Sequence, residues 1–227
     1  DWYIDQMKSK SYESNPLPIS FVHDEYVGDK LDYTAHIPKV ESRWEIKDFI
    51  DFIKNPKSTV ELQNGQTIHF FPTNKIRIPV DKNTIINNKV VASKYNDSIV
   101  SYIDIDIKGN ALYKNRLMML DIIANNNWKR PIYFSPGAFE DEDYLWMKNY
   151  LQLEGMVYKL VPIKTKVEKD TNPMDMGGLD ADKMYSIVMK WDWGNSRGDI
   201  YHDPETRKNS ISYRSVLSRL MDKLIVE

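Results

Sequence analysis

The chain has no cysteine among its 227 residues. That absence excludes disulfides, thiolate metal sites and a cysteine nucleophile. It also has no apolar run near the roughly 20 residues that a bilayer crossing needs, and no basic-then-apolar leader of the secretory kind. A dominant charge is missing too: 31 Lys and Arg stand against 33 Asp and Glu, a formal charge of -2, so there is no basic footprint for nucleic acid or anionic lipid. Histidine is scarce, with four residues (His23, His36, His69, His202). None stands in H-x-x-x-H or H-E-x-x-H spacing, so the sequence assigns no zinc ligand, and only a set gathered from distant parts of the chain stays open. There is no G-x-S-x-G, no P-loop and no G-x-G-x-x-G.

What is present is the balance of a folded protein: 41% hydrophobic and 28% charged residues, with 6 Trp and 14 Tyr. The expected fold class is α/β: a mixed sheet with a central strand–helix–strand unit, flanking helices and a β-rich insertion. The expected division is 1–57 for an N-terminal helical and extended part, 58–108 for the insertion, and 109–227 for an α/β core closed by an amphipathic helix.

The centre of this expectation is 125–164. Ile132-Tyr133-Phe134 reads as a strand ending at Ser135-Pro136-Gly137. The acidic run Glu140 to Asp143 suits a helix start, where unpaired N–H groups and the positive dipole end attract carboxylates. Calcium chemistry lacks its alternating loop and glycine there. Tyr144, Met147 and Leu151 make one helical stripe with Trp146, Tyr150 and Leu153 beside it. Gly155 offers a left-handed stop, and 156–163 is a second strand, parallel to the first if the crossover is of the usual right-handed kind.

Elsewhere Asp1 can cap a short helix through Ile4 and Met7, and 17–22 is extended, with prolines that keep it at an edge. Ser42-Arg43-Trp44-Glu45 has capping-box form. Behind it Ile46, Phe49, Ile50 and Ile53 fall at i, i+3, i+4 and i+7, and Asn55-Pro56 ends the helix. Thr59–Leu62 and Thr67–Phe70 flank Asn64-Gly65, a strong hairpin signal. Ile76–Ile78, Thr84–Ile86, Val90-Val91 and Ile103–Ile107 read as further strands. Residues 113–126 are helical, with Met119, Leu120, Ile122 and Ile123 on the apolar face. Residues 164–182 read as a long polar loop, 184–191 as a short helix or strand, and Gly194–Gly198 as a turn. Tyr213, Val216, Leu217, Leu220, Met221, Leu224 and Ile225 space out a final amphipathic helix. Helical sequence at both Asp1 and Glu227 suggests a piece of a longer protein.

Four residues are candidates for ligand contact. Trp128 and Arg130 stand just before the central strand, where indole and guanidinium suit a sugar or phosphate; a Trp covering the sheet end and an Arg paired with a carboxylate is the commoner arrangement. Trp191 and Trp193 place two indoles on alternate sides of an extended segment, as sugar stacking uses, though a buried or docking aromatic is commoner. Asp104 and Asp106 share one strand face, which more often means solvent than catalysis. Asn96-Asp97-Ser98 has the form of a glycosylation acceptor, a tripeptide frequent by chance. No residue is assigned a catalytic role or a metal.

Five stretches carry a family resemblance: Asp1–Met7; Asn15–Ser20; Phe71–Thr73 with Ile76–Val80; Leu120–Ala124 running into Asn126–Phe134; and Tyr150–Gly155 leading to Tyr158–Ile163. Together they resemble the region after the membrane helices in a bacterial family long catalogued as a domain of unknown function, itself similar to protein O-mannosyltransferases of the lipid-linked-donor glycosyltransferase superfamily. The resemblance implies a polytopic membrane parent, a periplasmic position for this piece, a lipid-linked sugar donor for the parent, and the membrane-embedded remainder of the same chain as partner. It places the acidic residues of transfer upstream of Asp1, so none is carried onto this chain, which is expected to position an acceptor polypeptide or glycan, or to brace catalytic loops. Two other functions stay open: a glycan- or peptide-binding module built on Trp128, Trp191 and Trp193, and a soluble glycoside hydrolase with a carboxylate pair.

Overall fold

The computed structural model describes residues 16–21, 33–135, 142–166, 176–192, 194 and 199–226, and over 142–145 the backbone alone. The expectations on the helix through Met7, on Val22, on the acidic residues 140–143, on the loop around Asn172-Pro173, on Trp193 and on the turn at 195–198 fall outside these residues or their described side chains. The content is mixed α/β, and the three sheets among the described residues are themselves mixed. Contacts divide the chain into two units: residues 1–90 with 100–130, and 91–99 with 131–227.

The first unit holds two sheets. One runs β3 (Thr59–Glu61), β4 (Thr67–Phe71), β1 (Tyr33–His36), β7 (Ala111–Tyr113); the other runs β2 (Trp44–Glu45), β5 (Lys75–Pro79), β6 (Tyr102–Asp106). The Asn64-Gly65 hairpin forms as its sequence demands. Gly65 takes φ +78° and its N–H bonds the Leu62 carbonyl at 2.9 Å. Helix α1 (Ile46–Lys54) buries Ile46, Phe49, Ile50 and Ile53 almost completely, packing on β4, β5 and helix α3 (Lys114–Asn126). Each such side chain contributes about 1.5–3 kcal/mol by leaving water. Phe49 meets Phe71 at 5.6 Å and Phe52 meets Phe70 at 5.4 Å, both edge-on.

The expected capping box does not form. Helix α1 starts at Ile46 with Glu45 as its N-cap and no side-chain cap, because Trp44–Glu45 pairs parallel with Ile76–Arg77 as β2. The Arg43 guanidinium donates to the Ile76 and Ile105 carbonyls (3.0 and 2.8 Å) and to Asp106 (2.7 Å). Thr84–Ile86 is also not a strand. It lies in helix α2 (Lys82–Asn87), nucleated by Asp81, whose carboxylate accepts the Asn83 and Thr84 N–H groups. The bond from the Thr84 hydroxyl, then those from the N–H groups, hold the Asp81 carboxyl below its ordinary range. Val90-Val91 lies outside any strand.

The second unit is built on one sheet, β11 (Gly178–Leu179), β9 (Leu151–Glu154), β10 (Val157–Leu160), β8 (Tyr133–Phe134). Here the sequence expectation needs correction. The helix after β8 is a 3-10 helix over Glu142–Tyr150 and stops before Leu151. Residues 151–154 form a strand whose four side chains are all buried. Gly155, at φ +64°, is not a helix stop but the first of two turn residues joining β9 to β10. Strands β8 and β10 are antiparallel, not parallel. Met147, Leu151, Leu153, Tyr158 and Leu160 enter the core, with Ala181, Met184 and Val188 of helix α4 (Ala181–Val188) and Val216 and Leu220 of helix α5 (Pro204–Val226). Part of the expected polar loop is ordered into β11, which runs parallel to β9.

Candidate functional site

Three groups of described chemistry-bearing side chains bear on function. The first is structural. Asp104 and Asp106 face arginines as well as solvent: Arg77 grips Asp104 through two bonds of 2.8 and 3.0 Å, and Arg43 spans both carboxylates. The Arg77 guanidinium, its pKa raised first by the Asp104 hydrogen bond, also lies 3.8 Å from the Tyr102 ring centre. In the second unit Lys94 bonds Asp182 at 2.7 Å and the buried Asp180 at 3.0 Å, and these partners in that order raise its pKa.

The second group is a polar set on β8, β9 and β10, in which Glu154 and Lys159 are buried and Tyr133 is partly exposed. The Tyr133 hydroxyl donates to Glu154 at 3.0 Å, and Lys159 lies 3.5 Å from the same carboxylate. Burial, then the neighbouring Glu154 charge, pushes the Tyr133 phenol up to about 12. A phenol so raised keeps its proton at neutral pH, which suits a hydrogen-bond donor and not a base.

The third group lines a groove of about 860 Å³ along the first turns of helix α5. Asp203 caps that helix by accepting the Thr206 N–H at 2.9 Å and its hydroxyl at 3.1 Å, with Pro204 at the first helical position. Those bonds hold the Asp203 carboxyl below its usual range. Helical spacing then puts Thr206, Ser210, Tyr213 and Leu217 in one row toward the groove, and Arg207 and Arg214 in a neighbouring row. Across from them stand Met156, from the β9–β10 turn, and Trp191, just past helix α4. The indole of Trp191 meets the Tyr213 ring at 5.6 Å and 88°, so the two aromatics form a corner. One carboxylate, Asp192, is among the described lining residues, and it already accepts the Gly194 N–H at 2.9 Å.

Of the sequence candidates, Trp191 is therefore in a groove, and Trp193 lies outside the described residues. Trp128 and Arg130 belong to the first unit and make structural bonds there. The Trp128 indole N–H donates to the Pro79 carbonyl at 3.3 Å, and Arg130 donates to the Pro16 carbonyl at 2.8 Å. Asn127 and Trp128 both take left-handed backbone (φ 47° and 58°), which ends helix α3. Arg207 and Arg214 were not singled out from sequence; their seven-residue spacing on an expected helix is the signal that would have found them. Among the described residues no group of three or more His, Asp or Glu is placed to hold a metal ion.

Residues 1–183 match the family model for TMEM260-associated domain 2. The chain belongs to that family. Most of the groove-lining residues follow the matched stretch of the TMEM260-associated domain. Neither the curated proteins nor the solved structures contain a match to the chain. Among its described residues no helix of this TMEM260-associated domain is long and apolar enough to cross a membrane.

Proposed function

We propose that this chain is an extracytoplasmic domain of a membrane-embedded glycosyltransferase resembling the protein O-mannosyltransferases, and that it holds acceptor polypeptide while the transfer chemistry lies elsewhere in the parent. The observation that carries this is membership of a family named for association with TMEM260, over 183 of the 227 residues. The site chemistry supports the division of labour. Sugar transfer needs a positioned acid or base near the donor. The groove offers one carboxylate, engaged in a turn, and the buried Glu154 is tied to Tyr133 and Lys159. A glycoside hydrolase needs two carboxyls facing a shared substrate, a demand the described groove lining does not meet. Side chains that bind are plentiful: an aromatic corner and two arginines along one helix.

The test is transfer by the purified 227-residue chain, given a polyprenyl-phosphate mannose donor and a Ser/Thr-rich acceptor peptide. The expected result is no product, with activity of the full-length parent lost or reduced when this domain is deleted. Turnover by the isolated chain refutes the proposal, and so does an unimpaired deletion variant.

A further inference from the structure

From the lining of the α5 groove we infer that it binds an extended polypeptide carrying acidic side chains three residues apart around an apolar one. This rests on the acceptor-holding role proposed above and names its ligand chemistry. The argument begins with the rings. A sugar platform presents a flat aromatic face. Trp191 and Tyr213 stand at 88° with centres 5.6 Å apart, so one ring's edge covers the other's face. A right-angled corner, walled further by Met156 and Leu217, accepts a branched apolar side chain better than a pyranose plate.

The hydroxyls point the same way. Sugar recognition draws on free donors and acceptors, but the Thr206 hydroxyl donates to Asp203 and the Ser210 hydroxyl donates to the Arg207 carbonyl at 2.6 Å. The rest of the polar lining is Asp192, His202, Asn209 and two exposed cations, Arg207 and Arg214, and it is the cations that come as a regularly spaced pair. Arg207 and Arg214 are exposed on consecutive two-turn repeats of one helix, on one face and about 10 Å apart along the axis. Arginine matches carboxylates in its planar fork. In a polyproline II segment side chains three residues apart recur on one face at about 9 Å, so two acidic side chains meet the two guanidinium groups while one of the two residues between them turns into the corner.

The test is fluorescence anisotropy of a labelled, proline-containing peptide of about twelve residues, a length that covers four polyproline II repeats, with glutamates three apart and leucine between them. It uses the full 227-residue chain. Saturable binding is expected, weakened about tenfold or more by raising salt from roughly 50 to 500 mM. The double reversal R207E/R214E, both positions being solvent-exposed, is expected to abolish it and to restore binding of the matched peptide with lysines for glutamates. Circular dichroism reports whether each variant is folded, and the milder R214Q serves if the double reversal is not. No saturable binding, binding insensitive to the reversals, or binding of manno-oligosaccharide that displaces the peptide each overturns the inference. The readout is independent of sugar transfer, so its failure leaves the role in the transferase standing.

Discussion

Asp121 makes the sharpest stability prediction. It is fully buried on helix α3 and reaches back 101 residues to Ser20. One carboxylate oxygen accepts the Ser20 N–H at 2.6 Å; the other accepts the Ser20 hydroxyl at 2.6 Å and the Asn125 amide at 2.8 Å. Lys54 bonds the Ser20 carbonyl at 3.0 Å, so residues 16–21 are strapped to two helices, with Phe21 wholly buried. D121N keeps the shape but turns an N–H toward a donor of Ser20. One buried donor then goes unsatisfied, a loss of about 1–3 kcal/mol, and D121A, which orphans several donors, loses about 3 kcal/mol or more. The pH dependence carries a sign of its own. Burial raises the Asp121 pKa above 3.8, and the Ser20 and Phe21 bonds offset this only in part. The folded state therefore holds the proton more tightly than the unfolded chain. That contribution is complete below the unfolded pKa and is lost as pH rises through the folded one. Asn does not titrate, so the gap between wild type and D121N should be widest below pH 3.8 and narrow as pH rises above it. Urea unfolding at several pH values measures it. A variant as stable as wild type throughout, or a gap that widens with pH, refutes the reasoning.

Three further outcomes follow from geometry. G177A should be strongly destabilised, by more than 2 kcal/mol, because Gly177 sits at φ +75° and a Cβ there would run into the Leu151 carbonyl; thermal denaturation measures it. D203A should cost about 1 kcal/mol through loss of the α5 cap, with D203N or D203S close to wild type, read from urea midpoints. F49A should cost about 3–5 kcal/mol, since Phe49 is completely buried between Phe71 and its helix neighbours, and chemical denaturation at one pH suffices to check it.

The elements legible in the sequence were those where local and tertiary preferences agree. The α1 stripe, the Asn64-Gly65 hairpin, the alternation of Ile103, Ile105 and Ile107, and the Asn-rich end of α3 all stand as read. The misreadings have physical causes. The Asp81–Thr84 cap is a start signal that the β-branched run Thr84-Ile85-Ile86 masked. Leu151–Glu154 follows a helical stripe at Met147, but Leu151 and Leu153 pair with Leu160 and Tyr158 across a tight turn. The meeting of Glu154 with Tyr133 and Lys159 depends on strand register, which no local pattern carries. The groove shows the same limit. Trp191 was visible as a candidate, whereas the arginines opposite it gain meaning only once α5 places them in line.

The route of the chain between the two units has a consequence for anyone dissecting it. Residues 91–99 leave the first unit, contribute to the second, and the chain then returns. Lys94 meets Asp180 and Asp182, and Ile99 bridges Ile163. A fragment cut at Pro131 would therefore keep two aspartates whose cation was discarded, one of them buried. During vectorial synthesis the lysine leaves the ribosome 86 residues before Asp180 does (180 minus 94). The second unit must wait, its first piece already made, until helices α4 and α5 have followed.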